Sequence, residues 1–230
     1  MTRQARERVR TGGLRGTELL AWLHGHPPRD RDAAIERLLG IVRPPATLGG
    51  TPGEERMPYM PSAIGALVRA VLDVPITAHD VFVDLGAGLG KAAMAVHLLT
   101  GARARGVELQ AALVNEASAQ ARELALEGVS FAEGDALDAH LEDATVVFLY
   151  LPFTGEVLAG VLRRIEAVAR RRQLVLCALG FDLRAAWIVA RPTEEFWLTI
   201  YDTCVPGAEP RPAHAPLPLG PLGEAIARER

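Results

Sequence analysis

The amino-acid sequence predicts an α/β fold with a doubly wound, mostly parallel seven-stranded sheet. Five short apolar runs alternate with helical stretches, and helical crossovers join strands in the parallel manner. Two further strand patterns flank a Pro-Thr-Glu-Glu turn without a helix between them, which predicts an antiparallel edge hairpin. A glycine-rich turn, VFVDLGAGLGK in residues 81–91, directly follows the first strand pattern. In open α/β sheets such a turn marks the ligand site.

The element boundaries follow from apolar periodicity and from turn-forming residues. The first five strands are predicted at Val81–Leu85, Ala104–Glu108, Val129–Ala132, Thr145–Tyr150 and Leu174–Leu179. Helices are predicted at Gly16–Gly25, Asp32–Val42, Lys91–Leu99, Gln110–Glu127 and Gly155–Arg171, with a short one after Asp135. A further helix is predicted to begin at Ser62, an N-cap residue, and to end before Pro75.

Three regions follow one another along the chain. Residues 1–58 are polar and interrupted by turn-forming residues, and they predict a helical N-terminal cap or extension. Residues 59–205 hold the strand and helix patterns of the main domain. Residues 206–230 are rich in proline and predict an extended tail.

Composition and charge exclude several classes of protein. A net charge of -3 gives no general attraction to nucleic acid or to an anionic membrane. No run reaches the roughly 18 apolar residues of a membrane span, and no apolar core of a signal peptide follows the basic N-terminus. Cys177 and Cys204 are isolated in apolar segments and predict buried, reduced thiols, and the scattered histidines predict no metal site. We expect a soluble, cytoplasmic protein.

The glycine turn does not fit the common phosphate-binding motifs. Three residues separate Gly86 from Gly90, whereas a P-loop has four, and Ala92 replaces the Ser or Thr that follows its lysine. A dinucleotide fingerprint needs a third glycine where Lys91 stands. Neither a nucleoside triphosphatase nor a nicotinamide-dependent oxidoreductase is favoured.

The charge next to the turn indicates the kind of ligand. Asp84 ends the first strand pattern, just before the first glycine. A carboxylate there repels a pyrophosphate at short range in a partly dry pocket. A ligand that carries an ammonium and a sulfonium group, as S-adenosylmethionine does, is attracted.

The stretch VDLGAGLGK resembles motif I of the class I, seven-strand, Rossmann-like S-adenosylmethionine-dependent methyltransferases. By this resemblance Asp84 lies near the amino-acid end of the cofactor, Glu108 in GVELQ binds the ribose hydroxyls, and Asp135 in EGDAL contacts the adenine. The resemblance implies these cofactor-binding residues: Asp84, Gly86, Ala87, Gly88, Gly90, Lys91, Glu108, Leu109, Gly134, Asp135 and Ala136.

A narrower resemblance covers residues 57–203. MPYMPSAIGALVRAVLD, VVFLYLPF and FWLTIYD are similar to segments of the bacterial and mitochondrial relatives of seven-strand protein-lysine methyltransferases. The resemblance implies that Tyr59 and Ser62 cover the amino-acid end of the cofactor. It further implies that Tyr150 and Phe153 shape the acceptor channel as the catalytic residues, and that Tyr150 and Leu151 also contact the cofactor.

The acceptor favoured by these features is an amine, preferably a protein lysine. Amide and adenine-amine methyltransferases carry (N/D)PP(Y/F) after the fourth strand, where this chain reads YLPF in residues 150–153. The absence of Asn or Asp argues against methylation of glutamine or of a base. Tyr150 also departs from the usual Asn or small polar residue of the lysine group, so a small-molecule N- or O-methyltransferase and a non-catalytic cofactor-binding module stay open.

Overall fold

A computed structural model of the protein describes residues 2–42, 60–150, 154–192, 197–212 and 219–228. The α-helices are α1 (Thr2–Arg10), α2 (Gly16–His24), α3 (Arg31–Leu39), α4 (Ile64–Asp73), α5 (Lys91–Thr100), α6 (Ala111–Glu123), α7 (Gly155–Ala169) and α8 (Gly220–Arg228). Pro28–Asp30 and Ala136–Asp138 form short 3-10 helices. The strands are β1 (Val81–Leu85), β2 (Arg103–Glu108), β3 (Val129–Glu133), β4 (Val146–Tyr150), β5 (Val175–Leu179), β6 (Ile188–Ala190) and β7 (Leu198–Thr203).

These strands form one seven-stranded sheet in the order β3-β2-β1-β4-β5-β7-β6. Strands β1 to β5 are parallel, β7 is antiparallel to β5, and β6 is antiparallel to β7. Every residue of β1 and of β5 is buried, as expected for strands covered by helices on both faces. The predicted fold class, including the edge hairpin, is confirmed. The strand order reverses between β1 and β4, so the turns after β1, β2 and β4 meet at one edge.

The start of α4 differs from the sequence-based prediction. The helix begins at Ile64, and its N-cap position is Ala63 rather than Ser62, whose side chain is buried. The backbone N–H of Ile64 donates instead to Oδ1 of Asp32, at 2.8 Å. A carboxylate from α3 thus supplies the cap that local sequence was expected to supply.

The two ends of the chain are more helical than predicted. Helix α1 was not predicted, and α8 lies in the region that was predicted to be extended. Helix α8 packs on α2 and α4, and Gly223 allows a close approach to Leu20 and Leu72. The apolar residues of α2 share one core cluster with Phe82 of β1. The division of the chain near residues 58 and 205 stays a prediction.

The two cysteines have different environments. Cys177 of β5 is buried, as predicted, and burial raises the pKa of its thiol to about 12. Cys204, which was also predicted to be buried, is exposed. It follows the last residue of β7, where the strand leaves the sheet.

A buried ion pair anchors the amino ends of the strands. One carboxylate oxygen of Asp80, which is 1% exposed, accepts from Thr145 Oγ1 at 2.7 Å and from the Arg211 guanidinium at 2.8 Å. The other accepts from the backbone N–H of Thr77 at 2.9 Å. Burial by itself raises the pKa of Asp80, but the bonds from Thr77, Thr145 and Arg211 outweigh it, so the pKa is lowered. Arg211 also donates to the carbonyl of Val74 and so ties the C-terminal segment to the sheet.

Arg211→Ala removes the cation beside this carboxylate and is expected to lower the free energy of unfolding by about 3 kcal/mol near neutral pH. Because the folded pKa of Asp80 lies below its unfolded value of about 3.9, this contribution is present above that value and is lost as the pH falls through the folded pKa. Urea denaturation near neutral pH and at acidic pH measures both effects.

Arg170→Ala is the matched control. Arg170 is 65% exposed and pairs with Glu166 on the surface of α7. Its loss is expected to change the free energy of unfolding by less than about 0.5 kcal/mol. Equal effects of the two substitutions would contradict an anchoring role of Arg211.

Candidate functional site

The turn after β1 is shaped by its glycines. The backbone N–H groups of Gly86 and Ala87 both donate to the carbonyl of Val107, which fixes the turn against β2. Gly88 and Gly90 have φ angles of +53° and +76°, a region that favours glycine. A Cβ atom at Gly90 would lie 2.3 Å from the ring of Phe131, so no larger residue fits there. The turn thus packs against β2 and β3, with Gly86 exposed and the residues from Ala87 to Gly90 buried.

Two carboxyl groups lie beside this turn. Asp84 is the fourth residue of β1, between Gly106 of β2 and Phe148 of β4, and it is 4% exposed. Burial, and then the charge of Glu108, raises the pKa of Asp84 to about 8. None of the residues that the structure describes forms an ion pair with Asp84. An added cation is what would allow Asp84 to ionise at neutral pH.

Glu108 connects the glycine turn to the start of α6. Its Oε2 accepts from the backbone N–H of Gly88 at 2.9 Å, and its Oε1 accepts from that of Gln110 at 3.0 Å. Each carboxylate oxygen has two acceptor positions, so each retains one for a further donor such as a hydroxyl group. Leu109 follows with 49% of its surface exposed, which places apolar surface next to the carboxylate.

The end of β3 completes this row of residues. The backbone N–H of Gly134 donates to the carbonyl of Glu108 at 3.0 Å. Oδ1 of Asp135 accepts from the backbone N–H of Leu137 and caps the short helix Ala136–Asp138. Ala136 is buried in the core cluster that also contains Leu85 and Val107. The structure thus aligns the predicted residues of the three strand ends along one edge.

Lys91 has a different environment from the rest of the turn. Its side chain is 3% exposed, and its Nζ lies 2.6 Å from Oδ1 of Asp32 and 2.9 Å from Oε1 of Glu36. The ammonium group is therefore held by two carboxylates of α3, and the Gly-Lys pair does not present it to a phosphate. Sequence reasoning missed this pairing. The available signal was the single lysine of the chain together with two acidic residues one helical turn apart.

Tyr150 ends β4 beside Leu179 of β5. It is half-buried, and burial raises the pKa of its phenol. The carbonyl of Trp197 accepts from the backbone N–H of Gly180 at 2.7 Å, so this second aromatic residue lies at the same edge of the sheet. Three other predicted site residues, Tyr59, Leu151 and Phe153, lie outside the described residues.

Neither a membrane-spanning helix nor a metal-binding cluster is found in the described ranges. No helix there is both long and apolar enough to cross a bilayer. Within the same ranges, no three His, Cys, Asp or Glu side chains are grouped in a way that suits a metal ion.

Comparison with known proteins identifies related folds. No family model and no curated protein matches the chain. Among solved structures, an RNA methyltransferase from Salinibacter ruber in complex with S-adenosyl-L-homocysteine is 26% identical, with a TM-score of 0.52, over 68% of this chain and 100% of that one. The putative methyltransferase yhhF from Escherichia coli is 14% identical, with a TM-score of 0.52, over 64% and 89% of the two chains. At that identity the second likeness concerns the fold alone.

The fold is therefore the Rossmann-like fold of class I methyltransferases, as the sequence predicted. The comparison with the Salinibacter ruber structure agrees with the expectation of a methyltransferase. The narrower resemblance to protein-lysine methyltransferases stays a prediction.

Asp84→Asn keeps the shape of the side chain and removes its titration. Since the folded pKa of Asp84 is about 8, the stability that its protonated form contributes is lost as the pH rises from about 4 toward that value. The wild-type protein is expected to lose up to about 1.4 kcal/mol per pH unit relative to Asp84→Asn in this interval. Urea denaturation without ligand at several pH values measures the difference.

Asp138→Asn, at an exposed position, is the control and should show no such trend. Stability curves of wild type and Asp84→Asn that run parallel over the whole interval would contradict the assigned environment of Asp84.

Proposed function

We propose that this protein is an S-adenosylmethionine-dependent methyltransferase that transfers a methyl group to an amine, preferably a protein lysine. The observation that carries the proposal is the buried carboxyl group of Asp84, with its raised pKa, beside the glycine turn and Glu108. A diphosphate would add negative charge beside two carboxyl groups, whereas an ammonium group lowers the cost of ionising Asp84. The fold and the Salinibacter ruber structure support the enzyme class and the cofactor.

We assign the residues along the sheet edge to the parts of the cofactor in order. Asp84 and the backbone of the glycine turn would hold the amino-acid end. The free acceptor positions of Glu108 would bind the ribose hydroxyls. The exposed side chain of Leu109 and the end of β3 at Asp135 would border the adenine.

Bound S-adenosylmethionine supplies a methyl group on a positively charged sulfur, and transfer breaks the carbon–sulfur bond as the carbon–nitrogen bond forms. The protein's part is to align the acceptor nitrogen with that bond and to exclude water. Tyr150 lies where β4 ends, next to the glycine turn in the sheet order. Because burial raises the pKa of its phenol, Tyr150 stays protonated at neutral pH and is a hydrogen-bonding group rather than a base.

The acceptor nitrogen must therefore arrive as a free base. A lysine amine has an unperturbed pKa of about 10.4, and transfer into an apolar channel favours its neutral form. Aromatic side chains suit such a channel. Tyr150 and Trp197, which are partly buried at this edge of the sheet, are the described residues proposed to border it. Tyr59 and Phe153 are proposed by the sequence resemblance. The proton that the amine carried in water leaves to solvent as the channel is entered.

RNA is a second candidate acceptor. The observation that favours it is the RNA methyltransferase from Salinibacter ruber, whose whole length matches 68% of this chain. Two features of the sequence favour an amine in a protein instead: the Tyr-Leu-Pro-Phe of residues 150–153 and the net charge of -3. A small-molecule N- or O-acceptor is a further alternative within the same enzyme class.

The acceptor is tested by incubating the purified protein and S-adenosylmethionine carrying a labelled methyl group with a cell lysate that was freed of small molecules. We expect label in macromolecules that a protease degrades and ribonuclease does not. Label removed by ribonuclease would select RNA, and label only in an added metabolite fraction would select a small molecule. No incorporation, despite binding of S-adenosylhomocysteine, would leave a non-catalytic binding module and contradict the proposal.

Tyr150→Phe in the same assay tests the acceptor channel. The phenyl ring keeps the shape and loses the hydroxyl group, so binding of S-adenosylhomocysteine should be retained while turnover falls by about tenfold or more. Unchanged turnover would remove the hydroxyl group of Tyr150 from the mechanism.

A further inference from the structure

Helix α3 places two carboxylates around the first residue of α5. Asp32 and Glu36 are one helical turn apart on α3 and therefore share a face. Their oxygens lie 2.6 Å and 2.9 Å from Nζ of Lys91. The side chains of Lys91 and Glu36 are 3% and 8% exposed, whereas that of Asp32 is 39% exposed. The cluster is thus closed on the side of Glu36 and accessible on the side of Asp32.

Asp32 makes a contact that reaches a third helix. The same oxygen, Oδ1, that binds Lys91 also accepts from the backbone N–H of Ile64 at 2.8 Å. Ile64 is the first residue of α4, and the N-cap residue Ala63 has no side chain that can accept this bond. A single oxygen of α3 therefore joins the first residue of α4 to the first residue of α5.

Both of these helix starts border the proposed cofactor site. Lys91 follows Gly90 directly, so a fixed Lys91 fixes the end of the glycine turn. The residues from Met60 to Ala63 lead into α4, and Ser62 among them is buried. The position of the glycine turn relative to the start of α4 thus depends on α3.

We propose that Asp32 is a positioning residue for the cofactor site: through Lys91 and the backbone of Ile64 it holds the glycine turn and the start of α4 in register. This inference rests on the proposed function. Asp32 acts through these two groups and is not itself assigned a contact with the cofactor. Its loss is expected to loosen the start of α4 and to weaken cofactor binding while the rest of the fold is kept.

Asp32→Ala is the test, and two measurements are made on the full chain. Amide hydrogen exchange of Ile64, followed by NMR without ligand, should become faster because the bond to Oδ1 is lost. Calorimetry should show S-adenosylhomocysteine binding weakened by about tenfold, equivalent to about 1.4 kcal/mol. Asp32→Asn retains an oxygen that can accept from both partners, so it should restore most of the Ile64 protection and of the affinity.

Glu36→Gln is the matched control. It changes the other carboxylate around the same ammonium group and leaves the link from Asp32 to α4 in place. Slow exchange of Ile64 and an affinity within about twofold of wild type are expected. If Asp32→Ala does not fold, Asp32→Ser, whose hydroxyl group is too short to reach both partners, gives the same comparison.

The outcomes separate the positioning role from the proposed function. If wild type binds S-adenosylhomocysteine and Asp32→Ala binds it equally well, the positioning role is wrong. It is also wrong if Glu36→Gln weakens binding as much as Asp32→Ala, because a shared charge effect then explains both. If wild type does not bind S-adenosylhomocysteine, the proposed function fails. Faster Ile64 exchange in Asp32→Ala would then show only that Asp32 links α3 to the start of α4.

Discussion

The ionisation of one buried carboxyl group, that of Asp84, is the constraint around which this site is arranged. Asp84 lies inside the sheet with Glu108 nearby, and burial together with that neighbour raises its pKa to about 8. Such a group is costly in its charged form unless a cation is supplied. Lys91, which directly follows the glycine turn, is bound by carboxylates of α3. The cation therefore has to come with a ligand.

The comparison with Asp80 shows what the protein does when it supplies the cation itself. Asp80 and Asp84 lie near the two ends of β1, and both are almost fully buried. Arg211 binds Asp80, whose pKa is lowered, and the pair ties the C-terminal segment to the sheet. Asp84 has no such partner among the described residues, and its pKa is raised. Of the two buried carboxyl groups, the one at the start of β1 is thus neutralised by the protein itself, and the one near its end is proposed to bind the cation of a ligand.

Much of the fold could be predicted because its signals are local. The buried strands and the glycine turn are each contained in a few consecutive residues, so their bounds were close to those observed. The start of α4 was placed wrongly because its cap comes from Asp32, which is far away in sequence. Helix α8 was missed because proline-rich sequence surrounds it and its support comes from packing on α2 and α4. Both the start of α4 and helix α8 depend on tertiary contacts, which a local sequence pattern does not contain.

In the candidate site too, the features that depend on local sequence were predictable and those that depend on tertiary contacts were not. The strand ends that carry Asp84, Glu108 and Asp135 followed from the βα pattern, and the structure brings them to one edge. The partner of Lys91 did not follow, because it depends on how α3 packs against α5. The proposed acceptor side is the least constrained by sequence, since Tyr150 ends β4, Trp197 precedes β7, and Tyr59 and Phe153 lie outside the described residues.

The most direct test of the central claim is calorimetry of S-adenosylhomocysteine binding near neutral pH, in two buffers with different enthalpies of ionisation. If Asp84 gives up its proton to pair with the ammonium group of the ligand, binding should release a proton to the buffer, and the measured enthalpy should differ between the buffers. Asp84→Asn should bind more weakly and release none. Tight binding of S-adenosylhomocysteine without proton release by the wild-type protein, or tight binding of NADH in its place, would contradict the account.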